Sequence, residues 1–336
     1  MLRWVKRIAL VIVGLIVVVV LAGVIYEQIM RARAKSEFPV QGRLLDIGGR
    51  RMQIDCRGTG TPTVVFEAGL DTIGSLSWSA VQDAVAATTR ACAYSRAGVM
   101  WSEPRTQKFE PDGVARDLHA LLAAAGEHAP YVMVGHSLGG PYIMTFTRLY
   151  PQEVAGLVFV DASHPDQIKR LNQAIGKEMD RGTGMLKTAN ALSWTGITRL
   201  ISSQSEDGSA PRQARLGSTA YISSSIGAAL EEGESLDATL AAAGQLRQLG
   251  DRPIVVLTAT KPLPTAVLKT VQMTPEQGQR MQAEWKLLHD DEASWSHHSR
   301  HELVPEATHY IQFDKPDVVI TAVKEVVGDV RSGTTN

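Results

Sequence analysis

The chain has 336 residues, 34 Lys plus Arg against 35 Asp plus Glu, a net charge of −1 at pH 7, and 44% hydrophobic residues. That balance gives no electrostatic reason to expect a nucleic-acid partner, and the hydrophobic content excludes the composition of a disordered chain. Two cysteines, Cys56 and Cys92, are too few for a disulfide-stapled fold and lack the paired spacing of a zinc site.

Ile8 to Tyr26 is an unbroken apolar run of 19 residues. At 1.5 Å rise per residue it spans most of a roughly 30 Å hydrocarbon layer, so it reads as one membrane-crossing helix in contact with lipid. The alternative is a cleaved secretory signal, with Arg3, Lys6 and Arg7 as its basic start and Val20-Leu21-Ala22 as the cleavage site. The run continues past that point, which favours a retained anchor. Arg31, Arg33 and Lys35 on the far side balance the three basic residues before it, so the positive-inside rule abstains. Anchors and signals of this kind normally export the domain attached to them, and an extracytoplasmic domain is expected.

A polar linker is expected from Arg31 to Pro39, closing an anchor segment of residues 1–37. Gly42 to Ile47 and Met52 to Cys56 read as two strands around Gly48-Gly49, residues suited to a tight hairpin. Further strands are expected at Thr63–Glu67, Ala91–Tyr94, Tyr131–Val134, Leu157–Val160, Ile254–Leu257 and Arg300–Val304. Helical patterns lie at Trp78–Thr88, Gly113–Ala125, Gly140–Tyr150, Pro275–Asp290 and Pro316–Val327. Such alternation predicts an α/β fold, a mostly parallel sheet of eight strands covered on both faces, with chemistry at the carboxyl ends of the strands. From 163 to 250 no strand pattern appears, which predicts a helical cap inserted between the two parts of a catalytic domain, 38–162 and 251–330.

Tyr131 to Gly140 reads YVMVGHSLGG, a strand running through G-x-S-x-G into a helix. Glycines at 135 and 139 permit a cramped turn that lifts the Ser137 hydroxyl clear of the sheet, with a helix amino terminus beneath it. The sequence thereby resembles the α/β-hydrolase superfamily, over essentially all of Gly42 to Val327. VVFEAGL (64–70), YSRAGVMWSEP (94–104), LVFVDASHPD (157–166) and ATHYIQFDKPDVVI (307–320) extend the resemblance. It implies a Ser-acid-His triad, an oxyanion hole and hydrolysis of an acyl bond in a small-molecule substrate, a carboxylic ester first among them.

A serine hydroxyl needs a histidine to take its proton. His309 lies after the last strand, where the resemblance puts that base. His136 reads as a packing residue of the elbow, and the other seven histidines as surface or locally hydrogen-bonded groups, with His164 close to the site. The acid departs from the commonest pattern: Ile254–Leu257 runs into Thr258-Ala259-Thr260 with no carboxylate before Glu276. Asp161, ending the strand Leu157–Val160, is the expected acid, and Asp290 or Asp291 the alternatives. The oxyanion donors are expected to be the backbone N–H groups of Leu138 and Leu70. Arg96, Gly98 and Ser102 belong to a loop that usually buttresses the fold, here with Ser95 and Met100 replacing the usual residues.

In the family's usual strand order Cys56 and Cys92 lie on neighbouring strands. The resemblance thus implies a cross-strand disulfide if their Cα atoms fall within about 4.4–6.8 Å, with two buried thiols as the alternative. No metal or organic cofactor is expected. Peptidases and thioesterases share these motifs, and a noncatalytic binding protein of the same fold is the alternative from another class. Epoxide hydrolases and dehalogenases of the fold use an aspartate nucleophile, which Ser137 argues against.

Overall fold

The computed structural model describes residues 2–203 and 210–333; most of the Ser- and Gly-rich stretch at 202–209 lies outside the described residues. The chain opens with one helix, α1 (Leu2–Glu37). Its most apolar 18-residue window has a mean hydropathy of 3.4 with none of it buried, so it is long and apolar enough to cross a membrane. The expected polar linker is not a loop. Its residues remain helical to Glu37 because they pack: Ala34 is buried, and the Tyr221 hydroxyl and Trp101 indole N–H both donate to Phe38 O, at 3.1 and 3.0 Å.

Eight strands come next: β1 (Arg43–Asp46), β2 (Arg51–Arg57), β3 (Thr63–Glu67), β4 (Ala91–Ser95), β5 (Tyr131–His136), β6 (Val154–Val160), β7 (Ile254–Ala259) and β8 (Ser299–Val304). They form one sheet in the order β1-β2-β4-β3-β5-β6-β7-β8. β3 to β8 run parallel, and β2 is antiparallel to both its neighbours. The β1–β2 hairpin turns through Gly48 and Gly49 at φ +94° and +101°, a backbone that a side chain would resist. Asp46 Oδ1 accepts from both glycine amides.

Between β3 and β4 lie a 3-10 turn (Gly74–Trp78) and α2 (Gln82–Ala86). This divides the single helix expected from Trp78 to Thr88. Trp78 is fully buried and stacks on Phe66 with ring centroids 4.8 Å apart, which ends the first turn before α2 starts. α3 (Pro111–Ala125) and α4 (Gly139–Leu149) flank β5. Between β6 and β7 the chain inserts α5 (Gln167–Ile175), α6 (Thr183–Leu192), a 3-10 turn (Ser193–Thr195), α7 (Ile197–Ser203), α8 (Arg212–Glu234) and α9 (Leu236–Ala243). α10 (Thr265–Thr270), α11 (Pro275–Ala293), α12 (Ile311–Asp314) and α13 (Pro316–Ser332) complete the order. Thr274 and Gln277 start α11 with reciprocal side-chain caps.

Successive strand residues feed two cores. Val65, Met133, Leu157 and Val256 pack with Leu118, Leu121, Ile143 and Phe146 of α3 and α4. Val64, Phe66, Val132, Val134, Val158 and Leu257 pack with Val85 of α2 and Val319, Val323 and Val326 of α13. A parallel sheet buried on both faces explains the nearly continuous apolar strands, each fully buried Val or Leu contributing roughly 1.5–3 kcal/mol.

Cys56 and Cys92 stand opposite each other in the β2–β4 register and form a disulfide with Cα atoms 4.0 Å apart. That spacing falls just below the expected range, and the register places the two side chains directly opposite each other.

Candidate active site

Ser137 leaves β5 at φ +51°, the left-handed backbone of a sharp strand-to-helix turn. Glycine is required on either side. A Cβ at Gly135 would meet the Gly139 backbone at 2.7 Å, and one at Gly139 would meet Glu67 O at 2.5 Å. The turn is tied to its neighbour, with Ser137 N–H donating to Val160 O and Ser163 N–H to Ser137 O, at 3.2 and 2.8 Å.

Asp161 comes directly after β6, also left-handed at φ +44°, a conformation that Asp tolerates better than most residues. Its Oδ2 accepts from His309 Nδ1 at 2.6 Å. Its Oδ1 accepts from the Ala259 amide at 2.9 Å and the Trp285 indole at 3.0 Å. Burial pushes the carboxyl upward, but the His309 hydrogen bond and charge, together with the Ala259 amide, hold it below the usual carboxylate range. Asp290 is instead engaged by Lys286 at 2.7 Å and His301 at 2.8 Å. Asp291 faces His164 at 2.9 Å and the Trp295 indole at 3.2 Å. Neither alternative acid is hydrogen-bonded to His309.

Ser137, Asp161 and His309 line one cavity of about 370 Å³, with Leu171, Met179, Leu263, Met281 and Trp285 supplying apolar wall. Among the described residues no hydrogen bond joins the Ser137 hydroxyl to His309. Catalytic hydrogen bonds commonly tighten only in the substrate complex.

The loop after β3 lies against the turn at Ser137. A Cβ at Gly69 would come within 3.0 Å of the Ser137 Cβ, so this glycine permits the close approach. Leu70 is next in the chain and packs with Leu138 and Tyr142. Among the described residues neither the Leu70 nor the Leu138 amide donates to a protein acceptor.

Buried Arg96 underpins this loop. It donates to Ala68 O and Gly69 O at 2.7 and 2.6 Å, to Glu67 Oε1 at 2.7 Å, and in a fork to Glu232 of α8 at 2.8 and 2.7 Å. Burial, aided by the Glu232 charge, raises Glu67 to about 7 against the pull of Arg96. Glu67 also receives the Tyr94 hydroxyl.

Three supports have roles that the sequence does not signal. Trp285 comes from α11, far from Asp161 in sequence, and no motif marks it. His136 is more than packing. Burial lowers it to about 3, so it stays neutral, and Nε2–H donates to His309 O at 2.9 Å. His289, expected as a surface or local group, is wholly buried, donates to Ala162 O at 2.9 Å and is lowered to about 4 by burial. Only the β-α-β crossover brings it behind Asp161.

A group of potential metal ligands, Cys56, Cys92 and Glu127, lies within 4.8 Å. Its sulfurs are bonded to each other and Glu127 is paired with Arg90 at 2.6 Å, so it offers no thiolate.

A sequence model of the family described as "alpha/beta hydrolase fold" matches residues 62–316, about three quarters of the chain. The chain belongs to this family. One curated relative, named as the probable transporter efuK of Hormonema carpetanum, is 36% identical over 128 residues, covering 36% of this chain and 18% of its own. The chain's matches span about half or less of the curated relatives' lengths. Among solved structures, a thermophilic esterase from Thermogutta terrifontis aligns over 84% of this α/β hydrolase and 94% of itself, at 19% identity and TM-score 0.54. An epoxide hydrolase variant from Bacillus megaterium aligns over 85% and 100%, at 15% identity and TM-score 0.61. At such identities the likeness is one of fold.

Proposed function

We propose that this α/β hydrolase is a serine hydrolase cleaving a carboxylic ester through an acyl-enzyme. Ser137 Oγ attacks the ester carbonyl while His309 Nε2 takes its proton. The tetrahedral oxyanion is held by the Leu138 and Leu70 amides, and Asp161 orients His309 and stabilises its imidazolium. Collapse expels the alcohol, which receives the proton from His309. Water, activated by the same histidine, then releases the acid and restores Ser137.

The observation carrying this reading is the 2.6 Å Asp161–His309 pair opening on a cavity that Ser137 also lines. The epoxide hydrolase of similar fold does not shift it, since the nucleophile turn here presents a serine. The apolar wall favours an acyl or aryl group of modest size, and peptide and thioester bonds fit the same machinery. The inserted helices act as the cap over this cavity.

α1 is read as a retained anchor, with the domain in an oxidising, extracytoplasmic space where the Cys56–Cys92 bond persists. The second reading is secretion after cleavage at Ala22, which would leave the packed part of α1 in place. Intact mass of the purified protein separates the two.

The test of activity is hydrolysis of p-nitrophenyl esters from acetate to long acyl chains, alongside labelling by a fluorophosphonate. Wild-type turnover and labelling, both lost in Ser137→Ala, are expected. No turnover and no labelling of the wild type would move the protein to the noncatalytic class.

A further inference from the structure

The helix that enters the membrane is fastened to the helices over the active site. At the last turn of the apolar run a Cβ on Gly23 would fall 2.3 Å from Thr195 O, and one on Gly196 2.8 Å from the Tyr26 ring. The two backbones therefore touch, as small residues allow. One turn further on, the carboxylate of Glu27 is wholly buried. It accepts a fork from Arg199 of α7 at 2.9 and 2.8 Å, and Arg31 at 2.8 Å. Arg199 also donates to Thr219 O and Ala220 O of α8 at 3.0 and 2.6 Å.

Beside this joint lies an uncovered apolar surface. Trp194, Ile197, Leu200 and Ile201 are 53, 43, 49 and 65% exposed. Ile197, Leu200 and Ile201 obey i, i+3, i+4 spacing and so share one face of α7. Arg199 is the only charged residue between Ala189 and Ser203, and it is turned inward onto Glu27. The exposed part of this segment thus carries no charge, and it is joined to α1 where the apolar run ends.

We infer that this face is a lipid-binding surface. Trp194, Ile197, Leu200 and Ile201 insert into the headgroup–acyl boundary of the leaflet from which α1 emerges, so the cap rests on the membrane. The occupant is a bilayer because the patch continues the lipid-facing surface of the helix at the same level. An uncharged apolar face with a tryptophan matches the chemistry of that boundary. The inference rests on the anchor reading of α1.

The test uses full-length protein in phosphatidylcholine–phosphatidylglycerol vesicles. Single cysteines replace Val13, Ile201 or, as a control on β8, Leu303 (43% exposed). Each is labelled with an environment-sensitive fluorophore and challenged with lipids carrying quenchers at shallow or deep positions. The native disulfide leaves the introduced thiol as the reactive one. Expected are deep quenching at 13, blue-shifted emission with shallow quenching at 201, and none at 303. Quenching at 13 without any at 201 overturns the inference and leaves the anchor standing. If residue 13 is unquenched or cleaved away, the anchor reading fails. The label at 201 on the same preparation then decides whether the patch binds lipid by itself, and no quenching there sinks both.

Discussion

The carboxyl ends of β6 and β7 lie side by side and divide one task between them. β6 ends in Asp161, whose carboxylate meets His309, while β7 ends in Thr258-Ala259 and contributes the amide that holds that carboxylate. The family's commoner arrangement would put the acid on β7. Here the proposed acid stands one strand over, with a left-handed backbone at 161 and a hydrogen bond from Trp285 of α11. The proposed triad is thus specified by where its carboxylate arrives, with the strand of origin free to change.

The strongest way to break that comparison is Asp161→Asn. On the ester assay it is expected to lower kcat by about 10⁴-fold, the loss typical of such an Asp becoming Asn. An Asp290/Asp291 double Asn variant is expected to stay within about threefold, a difference under ~1 kcal/mol. The reverse pattern would move the acid to α11. Next, adding Ala259→Asp to Asp161→Asn returns a carboxylate to β7. Recovery of about tenfold, ~1.4 kcal/mol in the barrier, is expected because Ala259 borders the same cavity. No recovery would mean that the position on β6 is required.

Trp285→Phe sharpens the comparison from the α11 side. It removes one donor to a buried carboxylate, so kcat is expected to fall by about tenfold with KM little changed. Loss of that hydrogen bond also raises the Asp161 pKa, and stopped-flow pH profiles would reveal activity failing earlier on acidification. The smallest effect concerns stability. His136 is lowered from 6.5 to about 3, so its contribution is complete above 6.5 and is lost as pH falls toward 3, because the unfolded chain takes up a proton that the folded chain refuses. Denaturant unfolding of wild type against His136→Gln is expected to show the difference in unfolding free energy shrinking from pH 6.5 downward. A pH-independent difference would mean that folding leaves the His136 pKa at its ordinary value.

Much of this architecture is legible in the chain. The central strands β3 to β7 are marked by short apolar runs with turn residues between them, since a sheet covered on both faces leaves little polar surface there, whereas the margin strands mix apolar and charged residues. Ser137 announces itself through glycines that the turn needs for space, and Asp161 through its place after an apolar strand. The roles of Trp285, His136 and His289 are not legible, because each acts on residues remote in sequence: Trp285 and His289 lie in no motif, and His136 sits in the elbow motif without any sign that it holds His309. The segment from Arg31 to Pro39 looks like a linker because its charges suit solvent. Its helix is held by Trp101 and Tyr221, partners far along the chain. Where local periodicity and tertiary contact agree, sequence suffices; where contact decides, it does not.

The β1–β2 hairpin forms one margin of the sheet, and a margin strand exposes unpaired backbone groups that another chain can adopt as a template. The Cys56–Cys92 bond stitches that hairpin to β4. While the bond is oxidised, the hairpin cannot peel away to bare the parallel strands behind it. Reduction would leave the hem of the sheet held by hydrogen bonds and packing alone, so the covalent stitch guards against self-association as well as against unfolding.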